Sequence, residues 1–251
     1  MIKSKKLSKY KNISHGFFGS RGGFSKGIYS SLNCGIGSKD DQSNINKNLK
    51  IVLKKISKNE KKIFLPKQKH SNKLFFIKNN NLKKRVACDA LLTDQKNIPI
   101  GVLTADCAPI LIFDNKKKII GVIHAGWRGA FKGIIRNVVK FMNKKGSKKK
   151  DIIAVVGPCI SVLNYEVKQD FLNKFLKASR NNNFFFKFIK KKIFFDLKKY
   201  IKFQLEKLKI KKVEFINKDT YKLKNSYFSA RRSLTEKKYD YGRNISIIMI
   251  K

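Results

Sequence analysis

The stretch Gly101–Gly129, GVLTADCAPILIFDNKKKIIGVIHAGWRG, decides how this chain folds. An apolar run, Gly101–Leu103, gives way to Thr104-Ala105-Asp106-Cys107, and a second run follows through Ile110–Phe113. A polar turn, Asp114–Lys118, separates it from a third run, Ile119–Ile123, which ends at His124. Two short apolar runs around an Asp-Asn-Lys turn read as a β-hairpin. The hairpin folds Cys107 back towards His124, although the two are 17 positions apart. Ala-Gly-Trp-Arg-Gly then leads into a helical pattern over Ala130–Asn143, with Ile134, Ile135, Val138, Val139 and Met142 on one face.

Working outward, strands and helices interleave without a regular βαβ repeat. Residues 1–12 read as a basic, mobile lead, and 13–251 as a single domain. His15–Gly37 holds seven glycines and reads as turns with short strands that let backbone approach a ligand, or as a plain glycine-rich loop. Helices are expected over Asp41–Lys58, Val167–Ala178 and Asp196–Lys209. Strands are expected over Lys62–Leu65, Lys73–Ile77, Val86–Asp94, Asp151–Val156, Lys212–Ile216 and Asn244–Ile250. Asn79–Arg85, Ser179–Lys192 and Thr220–Asp240 read as loops. The fold class is α/β with mixed sheets.

At 251 residues and 42% hydrophobic, the chain can bury a sizeable core. The start has no apolar stretch, and no run is long enough to span a membrane. Four dispersed cysteines without a CxxC then read as reduced thiols in a cytoplasmic protein. The formal charge of +43 invites a polyanion-binding reading. Only 8 of the 59 basic residues are Arg, and the Lys are evenly spread among Asn, Ile and Phe. Base readout leans on clustered Arg contacts, so a solvated lysine surface without specific nucleic-acid binding is the stronger reading.

Three residues carry the chemistry. His70 lies in a Gln-Lys-His-Ser turn, His124 ends the hairpin, and Cys107 faces it. Two imidazoles and a thiolate suit a zinc left with one open position. The same residues also allow a Cys107/His124 nucleophile pair, or simply a buried thiol and two hydrogen-bonded imidazoles. His15, Cys88 or Cys159 could approach as a fourth ligand. Trp127-Arg128-Gly129 reads as an anion site, to which Arg21 and Arg231-Arg232 could add; these four and Arg243 fall in short polar segments. Asp106 is a candidate general base or partner of a ligating His, or a turn cap.

These motifs carry a resemblance. HGFFGSRGGFSKGIYSSLNCG, Gln68-x-His70-Ser71, CDALLT, TADCAPILIF, HAGWRG, GPCIS before Tyr165-Glu166-Val167, and FSARR…YGRNISII are similar to those of the YfiH-type family. Its members were first labelled laccase-domain or polyphenol oxidases and are now described as zinc-dependent purine nucleoside phosphorylases with adenosine deaminase and methylthioadenosine phosphorylase activity. Some are called peptidoglycan editing factors. The resemblance runs from about His15 to the last strand. It implies a four-layer α/β/β/α fold and His70, Cys107 and His124 as zinc ligands. It also matches Asn33 and Arg128 to family positions. The family's late Cys stands here as Asp219, and the Tyr of its SYRR as Ala230. Phosphorolysis needs an anion-binding cluster, for which Arg21, Arg128 and Arg232 are the candidates beside Asn33; Asp106, Cys107 and Arg128 are the candidates for the chemical steps. The implied partners are purine nucleosides and phosphate, taken by a monomer or homodimer. Three His in the whole chain are too few for a multicopper centre, which favours zinc over copper. A Cys/His hydrolase acting on a cell-wall precursor is the alternative enzyme.

Overall fold

The hairpin forms as read. The computed structural model describes residues 1–57, 59, 62–78 and 85–251. In it β5 (Ala108–Asp114) and β6 (Ile119–Ala125) pair antiparallel, with Pro109 opposite His124. Alternate side chains of a strand point to opposite faces. Ile110 and Ile112 therefore enter one core, and Leu111 and Phe113 another. With both faces covered, the strands read as unbroken apolar runs. The hairpin is the centre of a six-stranded mixed sheet in the order β11 (Lys212–Phe215), β7 (Ile152–Val156), β5, β6, β3 (Ala90–Thr93), β2 (Leu74–Ile77).

The run before Cys107 belongs to a different sheet. β4 (Ile100–Thr104) pairs with β12 (Asn244–Ile250), which pairs with β1 (Ile13–Phe17), all antiparallel. The chain thus crosses between the two sheets within Ala105–Cys107. Phe113, Ile120 and Val122 of the hairpin meet Ile100, Val102 and Ile248 between the sheets. Outside the larger sheet lie α3 (Ile134–Lys144), α4 (Gln169–Ala178) and α5 (Leu197–Lys207). Outside the smaller one lies α1 (Gln42–Ile56), whose Val52, Leu53 and Ile56 pack with Leu103, Ile245 and Ile247. The order is α/β/β/α in a single domain, as expected. Asp41 caps α1 by accepting from Ser43 N and Asn44 N, which places the helix start one residue later than the periodicity.

Several local expectations change. The helix over Ala130–Asn143 is two, α2 (Trp127–Phe131) and α3, because Gly133 adopts φ 87° between them. Lys62–Leu65 contributes one bridge, Phe64 to Ile100, because a single pairing leaves no ladder to extend. Ser179–Lys192 is not a loop. It holds a 3-10 turn and β9 (Phe186–Ile189), which pairs with β10 (Lys192–Phe195) beside β8 (Glu166–Val167). Thr220–Asp240 contains α6 (Ala230–Thr235), capped by Ser229. The expected loop over Asn79–Arg85 lies, Arg85 apart, outside the described residues, as does Lys58.

The lead is not mobile but docked. Leu7 is fully buried, and Ile2 bridges to Phe17. Glu214 accepts from Ser4 Oγ, Lys5 N and Lys6 N, and Ser4 N donates to His15 Nε2 at 2.8 Å. Among the described residues no helix is long and apolar enough to cross a membrane.

Candidate metal centre

Three different elements deliver the trio. Cys107 sits at the crossing between the sheets, His124 near the end of β6, and His70 in the turn before β2. Their ligand atoms all lie within 4.8 Å of one another, with Cys107 Sγ 3.9 Å from His70 Nε2. A tetrahedral zinc site, with bonds of about 2.0–2.3 Å, separates its ligands by roughly 3.3–3.8 Å. The donor set and spacing therefore fit a zinc ion after a small contraction. Gly126 keeps the space open: a Cβ there would lie 2.7 Å from Cys107 Sγ and 3.1 Å from His70 Cδ2. His15, Cys88 and Cys159 lie outside the cluster; His15 accepts the Ser4 amide, and both thiols are buried.

Behind the trio stands Asp89, a fully buried carboxylate just before β3. It accepts from Lys69 N, His70 N, Ser71 N and Ser71 Oγ, and pairs with His124 Nδ1 at 2.8 Å. One carboxylate thus shapes the His70 turn, where His70 adopts φ 53°, and orients the His124 ring. A carboxylate behind a ligating imidazole fixes its tautomer and leaves the other ring nitrogen for the metal.

The electrostatics follow from the packing. Burial alone would push the Cys107 thiol up, but the charge and hydrogen bond of His124, with those of His70, outweigh it and bring the thiol down to about 6. Burial would lower His124, but the Cys107 thiolate and Asp89 raise it to about 9. Asp89, despite its burial, is held well below the usual carboxylate range by His124 and Ser71. Cys88 and Cys159 are pushed up by burial, to about 11 and about 12. Cys107 is the thiol poised to ionise.

Two cavities meet at the trio. One, of about 390 Å³, touches all three residues and also Gln68, Arg85 and Arg243. The other, of about 230 Å³, touches His70 and Cys107 together with Trp127, Arg128, Tyr165 and Arg231. Trp127, Tyr165 and Arg231 also line an adjoining groove of about 670 Å³.

The remaining expected site residues divide. Arg128 reaches the smaller cavity, exposed, with its guanidinium 5.2 Å above the Trp127 ring. Asp106 borders that cavity but is engaged elsewhere than at the imidazoles. Its carboxylate accepts from Thr220 Oγ1, Ser229 Oγ and Arg231 N, and burial pushes its pKa up. Asp106 therefore ties the crossing, where it adopts φ 83°, to the start of α6. It is not the hydrogen-bond partner of an imidazole of the trio; Asp89 is, at His124 Nδ1. Arg21 and Arg232 line a separate cavity that touches none of the trio, and Arg232 donates to the carbonyls of Thr220, Tyr221 and Tyr227. Buried Asn33 is engaged with Ser38, Asp40, Gly35 N and Arg243 N, and it borders neither cavity at the trio.

Asp89 and Arg85 escape a reading of the sequence, and Arg243 stands there only as one Arg of a short polar segment. Asp89 stands in CDALLT as one acid before an apolar strand, with no periodicity to mark it. Arg85 and Arg243 come to the trio from distant segments, and only the sheet crossing brings them there. Asp219, which replaces the family's Cys, accepts from Ser161 N, Ser161 Oγ, Asn164 Nδ2 and Tyr221 N, and so holds the turn before Tyr165. Ala230 lines the smaller cavity.

Comparison with known proteins agrees with the fold. A family model described as multi-copper polyphenol oxidoreductase laccase matches residues 14–251. A purine nucleoside phosphorylase of Rickettsia prowazekii is 37% identical over 173 residues, 68% of this chain and 71% of its own. One of Haemophilus influenzae is 30% identical over 88% of this chain and 90% of its own. A crystal structure of a Neisseria meningitidis protein superposes with a TM-score of 0.85 at 26% identity, covering 96% of both chains. That of the Bacillus licheniformis hypothetical protein YfiH gives 0.87 over 98% of this chain and 95% of its own, at 24% identity, and speaks for the fold. With nearly its whole length matched, the chain belongs to the laccase-like YfiH family, whose curated relatives are named purine nucleoside phosphorylases.

Proposed function

We propose that this chain is a zinc-dependent purine nucleoside phosphorylase acting at the His70–Cys107–His124 centre. One observation carries the reading. A three-ligand donor set with a carboxylate behind it lies where two cavities meet, in a chain whose relatives bear that activity in their names. In phosphorolysis an oxygen of hydrogenphosphate attacks the sugar carbon C1′. The bond to purine N9 breaks, its electron pair leaves on the base, and the proton that hydrogenphosphate carried ends on the base. When bound, zinc would act as a Lewis acid and bring a bound water's pKa to about 7. Asp89 orients His124 and His70. Asp106 positions Cys107 against α6. Arg128, exposed at the smaller cavity, meets anionic groups at its mouth. Adenosine deamination and methylthioadenosine phosphorolysis belong to the same proposal, as do zinc over copper and a cytoplasmic setting.

The test is metal content by mass spectrometry beside turnover of adenosine and inosine with phosphate, in the wild type and in Cys107→Ala. About one zinc per chain, lost with activity in the variant, supports the reading. Retained turnover without metal overturns it.

A second reading has its own observation. Cys107, His124 and Asp89 form a thiol–imidazole–carboxylate chain with a lowered thiol pKa, as a Cys hydrolase requires. It predicts iodoacetamide labelling of Cys107 that added zinc leaves unchanged. Zinc ligation predicts protection that a chelator removes.

A further inference from the structure

The two cavities at the trio differ in charge. The larger carries Lys67, Lys69, Arg85 and Arg243 and, among the described residues, no Asp or Glu in its lining. On the other side, Arg128 and Arg231 stand over the Trp127 and Tyr165 rings, and the adjoining groove mixes Arg231 and Lys168 with Glu166 and Asp170. One side of the centre is a cationic pocket. The other is an aromatic wall of balanced charge.

Arg243 is the best placed of the four cations. Its backbone is held at both ends: its N–H donates to Asn33 Oδ1 at 2.9 Å, and its carbonyl accepts from Cys34 N at 3.1 Å. Its guanidinium, half-buried, lies 4.9 Å from the Tyr241 ring centroid and, among the described residues, has otherwise a 3.5 Å bond to Tyr241 O and a 3.9 Å approach to Asp240. Arg232, by contrast, is engaged with three carbonyls, Arg231 with Glu166 O at 2.7 Å, and Arg85 with Pro66 O at 2.6 Å. A pinned backbone bearing an unsaturated fork is what bidentate recognition of an oxyanion needs.

We propose that the Arg243 cavity is a phosphate-binding subsite, with Arg243 as the principal partner and Arg85 and Lys67 completing the positive pocket. Asn33 is then a positioning residue, acting through the Arg243 backbone. The subsite deepens the phosphorylase reading and rests on it in that the phosphate held there is the co-substrate. Phosphate on the Arg243 side leaves the Trp127–Tyr165 wall for the base, so nucleophile and leaving group reach the sugar from two sides of the centre. A displacement at C1′ requires that layout. Aromatic side chains offer a purine the ring stacking it favours.

The test compares the zinc-loaded wild type with Arg243→Gln, Arg243→Lys and Arg85→Gln. Two readouts are taken: calorimetric binding of inorganic phosphate without nucleoside, and KM for phosphate and for inosine. Arg243→Gln is expected to weaken phosphate binding and raise its KM about ten-fold or more. The inosine KM should stay within about two-fold, and Arg243→Lys should recover only part of the loss. An unchanged phosphate affinity in Arg243→Gln, or a rise confined to the inosine KM, overturns the subsite. Phosphate binding that depends on Arg243 in a wild type that turns over no purine nucleoside keeps the subsite and removes the co-substrate role. If Arg243→Gln does not fold, Arg85→Gln supplies the same comparison, with a smaller expected loss.

Discussion

Replacing Asp89 by Asn tests how the centre is built. The carboxylate takes two N–H groups of its turn, Ser71 N and Oγ, and the His124 ring. Asn keeps the volume but loses the charge, and its amide turns a donor towards donors. Breaking a buried charged pair costs about 3–5 kcal/mol, because the remaining partner is left uncompensated. Weakening a carboxylate behind a ligating His lowers metal affinity roughly 10–100-fold, or about 1.4–2.7 kcal/mol. The assay is a zinc competition titration against a chromophoric chelator at constant pH, with urea unfolding of the metal-free proteins alongside. Ser71→Ala removes one hydroxyl donor to the carboxylate, and with it the acceptor of Lys73 N, but keeps the charge, and should fall between wild type and Asp89→Asn in both. Zinc affinity in Asp89→Asn within about three-fold of wild type would refute the argument, whatever the stability change, since orientation of His124 is its central claim.

Gly126→Ala should abolish zinc binding while leaving far-UV circular dichroism unchanged, because its Cβ would overlap Cys107 Sγ whereas φ −72° and ψ 166° suit alanine. Stability should fall as the pH drops from 6.5 to about 4. His15, buried and held down to about 4 by burial and then by Lys3, stays neutral in the fold while the unfolded chain takes up a proton. Its contribution is complete above pH 6.5, and about 3 kcal/mol of it is gone below pH 4. His15→Gln should flatten that slope in a pH series of urea titrations. In metal-free protein, iodoacetamide should label one thiol near neutral pH, with a rate rising through about pH 6; peptide mapping should find Cys107, since Cys34, Cys88 and Cys159 are buried and raised. Labelling of a buried thiol first would contradict the assignment.

The sequence by itself determined the hairpin, because two apolar runs about Asp114–Lys118 have one compact way to pair, and the main helices, because one-sided apolar spacing has one period. It also singled out His70, Cys107 and His124, as soft ligands are few in a chain with three His. Local cues were weaker at Gly133, where a single left-handed residue split one helix into two, and over 179–192, where lysines on an exposed strand concealed its pairing. Only the tertiary structure decided the rest. Asp89, Arg85 and Arg243 meet the trio because the chain passes from one sheet to the other at Ala105–Cys107. The same packing docks the first residues on Glu214 and His15, and it carries Arg21 and Arg232 to a separate cavity. Periodicity and residue type are local properties of the chain; a buried carboxylate's five partners, or the sign of a cavity's lining, arise from segments up to two hundred residues apart, and no local pattern encodes which of them will meet.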